Sequence, residues 1–188
     1  MASSALWAGC DDKSEDGYDY FLRDAAAMED MGLPVYWLGR EFDGGGLTFQ
    51  GPYGLAFGGE VEGGGMFMRY ISWLGGTPGE GLNTGLEITE YSTDAWDLVK
   101  DRMMNPPVPG VTRETVTVGG RKGDLLFLPL DTTPLNILRL VLDLDGVVVV
   151  AQARAGGPTS PGGPDYSPFI NNPDLFVQVM QDLRPYSE

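Results

Sequence analysis

The chain has 188 residues, 42% of them hydrophobic, which is enough for one sizeable core and fits one domain or two small ones. Its 27 acidic and 12 basic residues give a net charge of −15, which repels phosphate backbones and argues against nucleic acid as a partner. The chain has no histidine and one cysteine. This composition excludes Ser-His-Asp triads, histidine-ligated zinc, internal disulfides and cysteine-cluster metal sites.

The N-terminal residues 1–18 predict a flexible acidic tether. Within them, Ala8-Gly9-Cys10 ends a segment of small residues, and an acidic, serine-containing stretch follows. This ending resembles the lipobox of bacterial lipoproteins, and the resemblance implies that Cys10 is acylated and that the chain is lipid-anchored in the cell envelope or outside the cell. Trp7 departs from the commonest leucine, and neither a basic nor a full apolar leader segment precedes it. An ordinary thiol in a disordered N-terminus, with a cytoplasmic location, therefore stays open as the alternative.

The same stretch contains half of a calcium-loop pattern. Asp12, Ser14 and Asp16 supply oxygen atoms at alternate positions before Gly17, as in an EF-hand loop. Arg23 stands where the bidentate carboxylate of that loop belongs, so a solvated tether is favoured over calcium binding. A calcium-dependent binding module remains an alternative, and we expect no metal site and no cofactor.

The first half of the remaining chain, 19–91, predicts a helix followed by short strands. Apolar residues at helical spacing indicate a helix over Asp19–Met31, with Gly32 just beyond its end. Runs of apolar and aromatic residues predict strands at Val35–Leu38, Leu47–Gln50, Tyr53–Phe57, Met66–Trp73 and Leu82–Tyr91. The glycine runs at 44–46, 58–59, 63–65 and 75–76 predict turns and loops, and none has a phosphate-loop or dinucleotide-binding pattern.

The second half, 92–188, predicts the same order of elements and a closing helix. Ser92 or Thr93 caps a helix over Asp94–Met104, with Trp96, Val99 and Met103 as its apolar stripe. Strands follow near Val111–Val118 and Asp124–Leu130, with a turn at Gly119-Gly120 that residues 121–123 extend. The Gly- and Pro-rich segment Ala155–Phe169 predicts a long surface loop. Asn172 then caps a helix that ends near Leu183.

The stretch Leu138–Ala153 predicts a β-hairpin with its turn at Asp145-Gly146, a pair that tolerates the positive φ angles of a type I′ turn. That turn sets Leu144 opposite Val147, Leu142 opposite Val149 and Leu140 opposite Ala151, so one face is wholly apolar. The other face is mixed, with Arg139, Asp143 and Gln152 among three valines. Successive strands without crossover helices favour antiparallel pairing, so we predict an α+β domain over 19–188 with about three helices.

Three sets of residues are candidates for function. Leu128-Pro129-Leu130-Asp131-Thr132-Thr133 resembles the aspartic-protease motif, although Thr133 replaces its glycine and no second copy is present; a polar turn is the alternative. Carboxylates for an acid-type hydrolase are also available as the pairs Glu60 with Glu62 and Glu87 with Glu90, which we expect on solvated strand faces or loop ends. The third set consists of aromatic residues whose flat rings suit stacking on a ligand: Tyr36, Trp37, Tyr70 and Trp73.

The sequence is most consistent with a non-catalytic binding, sensing or structural module with an unidentified protein or small-molecule partner. Its only route to a membrane is the lipidated Cys10. An acid-type hydrolase that uses Asp131 or a glutamate pair is the main alternative.

Overall fold

A computed structural model describes residues 17–44, 47–50, 57–60, 65–76, 84–129, 136–154 and 168–186 of the chain. These residues form four helices: α1 (Gly17–Asp30), α2 (Thr93–Met104), α3 (Pro168–Asn171) and α4 (Pro173–Met180). They also form eleven strands: β1 (Tyr36–Trp37), β2 (Glu41–Gly44), β3 (Leu47–Gln50), β4 (Phe57–Glu60), β5 (Met66–Gly76), β6 (Thr84–Ser92), β7 (Thr112–Val118), β8 (Arg121–Leu128), β9 (Ile137–Leu144), β10 (Val147–Arg154) and β11 (Arg184–Pro185). No helix among them has the length and apolarity needed to cross a membrane.

A nine-stranded antiparallel sheet dominates the fold, which confirms the predicted α+β class. Its strand order is β2-β3-β5-β6-β10-β9-β8-β7, and β4 pairs with the half of β5 that β3 leaves open. Strand β6, at the end of the first half of the chain, pairs along its length with β10 of the second half. The sheet is therefore continuous from one half of the sequence to the other.

The hairpin β9–β10 lies at the centre of this sheet with the predicted register. Leu144 pairs with Val147 and Leu142 pairs with Val149. Asp145 and Gly146 have φ angles of 45° and 99°, which are the positive values that a type I′ turn requires. Thr93 Oγ1 donates to the Gly146 carbonyl oxygen at 3.3 Å, so the turn also contacts the start of α2.

The apolar face of the hairpin faces the larger core, formed with α1, α3 and α4. On this side Phe21 and Ala25 of α1 and Phe176 of α4 are completely buried against sheet residues. Helix α1 ends in a Schellman motif, because the N–H groups of Leu33 and Gly32 donate to the carbonyl oxygens of Met28 and Glu29 at 2.9 Å. We call this side of the sheet the α4 face.

The opposite side, which we call the α2 face, has a smaller core under one helix. Ser92 caps α2 by accepting a hydrogen bond from the Ala95 N–H at 3.3 Å, as predicted. The predicted stripe Trp96, Val99 and Met103 packs on sheet residues of this face. Among the described elements, α2 is the helix that packs on this face.

Several local predictions were wrong. Gly58 and Gly59 lie in β4 and Gly75 and Gly76 in β5, because pairing with neighbouring strands overrides their weak strand preference. Residues 121–123 belong to β8 and not to a loop, since the turn is completed by Gly119 and Gly120 alone, both with positive φ.

The ends of three predicted helical or loop segments also differ. Met31 follows the end of α1 and is 54% exposed, so it does not extend the apolar stripe of that helix. Phe169 lies in α3 with its side chain completely buried, whereas the sequence placed it in a loop. Helix α4 ends at Met180, and the chain turns into β11, which pairs with β1.

Candidate functional site

The α2 face contains an open groove of about 390 Å³ beside α2, and we call it the α2 groove. Trp96 and Met104 of α2 form one wall, and Val141 and Val148 lie on the sheet beneath them. The size falls within the range of small-molecule sites, which combine an apolar surface with a few polar groups. The groove runs along the side of α2, where that helix packs over β6 and β10.

Charged side chains of both signs surround this apolar surface. The basic ones are Lys100 and Lys122, and the acidic ones are Asp101, Asp124 and Asp143. Asp97 accepts a hydrogen bond from Lys100 Nζ at 2.8 Å, and this bond, with the negative charge of Asp97, raises the pKa of Lys100. Lys100 therefore stays cationic at neutral pH. The groove can accommodate an apolar group whose substituents carry charges of either sign.

Alternation along the strands places these groups on the same side of the sheet. In β8, Lys122 and Asp124 point to the α2 face, while Leu125 points to the α4 face. Gly123 separates the two charged residues, and a Cβ atom added there would lie 2.5 Å from Leu142 Cδ2. Only glycine fits at this position beside the central hairpin, so the close packing of β8 on β9 depends on it.

Next to the groove, a row of buried polar side chains crosses three strands of the α2 face. Gln152 of β10 pairs in register with Glu87 of β6 and with Arg139 of β9, and all three are at most 8% exposed. Gln152 Nε2 donates to Glu87 Oε1 at 3.4 Å and Gln152 Oε1 accepts from Arg139 Nη2 at 3.3 Å. Arg139 Nη1 also donates to the Met103 carbonyl oxygen at 2.5 Å. The polar row thus attaches the C-terminal end of α2 to the sheet.

A second buried carboxylate lies on the α4 face. Glu90 is completely buried, and its Oε1 accepts a hydrogen bond from the Tyr36 backbone N–H at 2.6 Å. Glu87 and Glu90 are three residues apart on one strand, so they point to opposite faces of the sheet. We expected this pair on solvated strand faces or loop ends; both members are buried instead, and they do not converge on one point in space.

The structure describes the side chains of two of the four predicted stacking residues. Trp37 stacks on Phe21 with ring centroids 5.4 Å apart and contacts the edge of Tyr186 at 5.6 Å. Tyr36 is its neighbour in β1 and packs against the core of the α4 face. These contacts join α1, β1 and the end of the chain, which is a packing role.

Tyr70 and Trp73 lie in β5, where their register partners are Ile88 and Leu86, and their side chains are outside the described part of the structure. Cys10, Asp131 and Glu62 lie outside the described residues, as do Asp12, Ser14 and Asp16. Glu60 lies in β4, and its side chain is not described. Among the described residues, no three His, Cys, Asp or Glu side chains are placed so that they could hold a metal ion.

A second hollow lies on the α4 face near β7, the last strand in the strand order, and we call it the edge hollow. Its volume is about 320 Å³, and apolar side chains from β8, β9 and α3 line most of it. Thr112, Arg113 and Glu114 of β7 also line it, and the Arg113 side chain is paired with Asp124. The two cavities therefore lie on opposite faces of the same end of the sheet, on either side of β7.

The sequence missed the residues of both cavities, although one signal was available. A two-residue turn at Gly119-Gly120 makes Lys122 and Asp124 strand residues and places them on one face. Placing them beside α2 requires the order of the strands, which no local pattern supplies.

A comparison with protein-family models and with curated proteins finds no match to this chain.

Proposed function

We propose that the chain is a non-catalytic binding module of the bacterial cell envelope or exterior, and that the α2 groove holds its ligand. The observation that carries this proposal is the groove itself, an open apolar surface surrounded by two lysines and three aspartates. Such a surface suits a ligand with an apolar body and a charge of each sign, such as a short peptide with free termini. Its ammonium group would face an aspartate and its carboxylate a lysine.

The surrounding packing supports a site that is already formed before a ligand arrives. The polar row attaches the end of α2, Ser92 caps the start of that helix, and Val141 and Val148 of the sheet beneath are buried. A groove built on one helix and paired strands changes little on binding, so less free energy is spent in ordering it.

Free tripeptides with a branched or aromatic central residue are the probes for this proposal. In the chain labelled with 5-fluorotryptophan, the ¹⁹F resonance of Trp96 is assigned by comparison with Trp96→Phe. We expect a tripeptide to shift that resonance, and we expect Lys122→Glu to weaken its binding about tenfold, as loss of one charge-assisted contact implies. Arg23→Glu on α1 is the control, since it makes the same change of charge at an exposed residue far from the groove.

Two results would contradict the proposal. One is that no tripeptide of the set shifts the Trp96 resonance at millimolar concentration. The other is that Lys122→Glu and Arg23→Glu bind every tripeptide equally, because the groove would then contribute nothing to binding.

The location rests on the sequence around Cys10. We propose that this cysteine is acylated and anchors the module, with 1–18 as its tether. The anchor is tested by growing cells that express the full gene product in radiolabelled palmitate and measuring the label in the protein. Label in the unmodified protein and none in Cys10→Ser is the expected result, whereas an unlabelled protein with a free Cys10 thiol excludes the anchor.

A further inference from the structure

We propose that β7 is a docking edge, where an extended basic segment of a partner protein adds to the sheet as a further strand. Strand β7 ends the strand order, and its pairing partner among the described strands is β8. Its first four residues, Thr112 to Thr115, are exposed, and so is Thr117. This inference rests on the proposed binding function, but it assigns a partner to a different surface from the α2 groove.

The register shows which backbone groups of β7 point away from the sheet. The two-residue turn makes Val118 and Arg121 a hydrogen-bonded pair, and such pairs recur at every second residue. Residues 112, 114, 116 and 118 therefore bond to β8. The N–H and C=O groups of Arg113, Thr115 and Thr117 point outward, in the spacing that an added strand requires.

A side-chain amide already occupies the far end of this edge. Gln181 Nε2 donates to the Thr117 carbonyl oxygen at 3.0 Å, and Gln181 Oε1 accepts from the Gly119 N–H at 2.7 Å. A carboxamide has the same donor and acceptor as a peptide group, so Gln181 stands where the backbone of an added strand would stand. The outward backbone groups of Arg113 and Thr115 have no partner in the described part of the chain.

The rim of the edge hollow indicates the chemistry of the added segment. Its side chains would alternate between the two faces, and those on the α4 face would meet the apolar hollow and Glu114. An apolar residue suits the hollow, and a lysine or arginine two positions away suits Glu114. The net charge of −15 also attracts a basic partner.

A second copy of the chain is a poor occupant of the same edge. Two β7 strands that pair through Arg113 and Thr115, with Gln181 left in place, set Glu114 directly opposite Glu114 of the other copy. Like charges in that position destabilise strand pairing, and both chains carry a large negative charge.

The probe is a peptide library Ac-X-Val-X-Lys-X-Val-X-NH₂, where X excludes proline, and the matched library has glutamate in place of lysine. We expect the full chain to retain members of the lysine library at least tenfold more than members of the glutamate library. Equal retention of the two libraries, or no retention of either, would overturn the proposal.

Two variants separate backbone docking from side-chain contacts. Thr115→Pro removes an outward N–H and leaves the bonds between β7 and β8 intact, as proline on a strand edge does. We expect it to abolish retention of the selected peptides, whereas Thr115→Val keeps it within threefold. The Thr115 side chain lines the α2 groove. If Thr115→Val loses retention as fully as Thr115→Pro, this side chain is responsible and the edge proposal fails, while the proposed function of the groove stands.

Hydrogen exchange on the unmodified chain gives a reading that does not depend on how Thr115→Pro folds. The amides of Arg113 and Thr115 should exchange fast in the free chain and slow at least tenfold with a selected peptide. If these amides exchange slowly in the free chain at every protein concentration, the chain's own residues cover the edge. If their exchange becomes slower as the protein concentration rises, a second copy of the chain covers it. Either result would overturn the proposal.

Discussion

Replacing Arg139 by methionine removes the guanidinium of the buried polar row and keeps most of the side-chain volume. The variant loses the 2.5 Å hydrogen bond to the Met103 carbonyl oxygen and the longer one to Gln152. A hydrogen bond to a charged group contributes about 1.5–3 kcal/mol, and removing one charge from a buried ionic group costs about 3–5 kcal/mol. Because Gln152 separates Arg139 from Glu87, we take the lower end and expect a loss of about 3 kcal/mol in the free energy of unfolding.

Urea unfolding followed by circular dichroism measures this loss, with Arg113→Met as the matched control. Arg113 pairs with Asp124 at 3.2 Å, but its side chain is 43% exposed. An exposed pair of this kind contributes less than about 1 kcal/mol. If Arg139→Met loses no more stability than Arg113→Met, the row does not hold α2 on the sheet.

A second variant tests whether the row acts as one unit. Glu87→Gln, combined with Arg139→Met, removes the negative charge at the other end of the row as well. We expect the double variant to be more stable than the sum of the single losses predicts, by about 1 kcal/mol, as coupled residues show. Strictly additive losses would refute the coupling.

Two further predictions concern buried and exposed carboxylates. Glu90→Leu removes the acceptor of the Tyr36 N–H, so we expect it to lower the free energy of unfolding in urea by about 1–3 kcal/mol. Glu90→Gln keeps an acceptor oxygen and should lower it less. Equal losses in the two variants would show that this bond is unimportant. The hydrogen bonds and charge of Arg121 lower the pKa of Asp145 below 3.8, so the pair stabilises the fold above that pH, and the contribution is lost as the pH falls through the lower, folded pKa. Arg121→Gln should return the pKa of Asp145 toward 3.8 in a carbon-13 NMR titration, and an unchanged pKa would contradict the assigned cause.

The local parts of the fold were predictable because neighbouring residues specify them. The turn at Asp145-Gly146 fixes the register of β9 and β10 without help from the rest of the chain. The caps of α2 and α4, at Ser92 and Asn172, were also correct, since each cap bonds to an N–H three residues later.

The glycine-rich strands failed for the opposite reason. Gly58 and Gly59 carry no strand preference of their own, and they are strand residues because β5 pairs with them. The two-residue strand β11 was missed for a similar reason, since its partner among the described strands is β1, about 148 positions earlier in the chain.

The sequence by itself determined the central hairpin, the helix caps and the apolar face of the sheet, because turns, caps and alternation act over a few residues. The tertiary structure decided which polar groups are buried and which strand comes last in the sheet. Glu87 meets Gln152 across 65 positions only after β6 pairs with β10, and β7 is an edge only because it comes last in the strand order. Both features depend on long-range pairing, which closes large loops and has no signature in any short stretch of the chain.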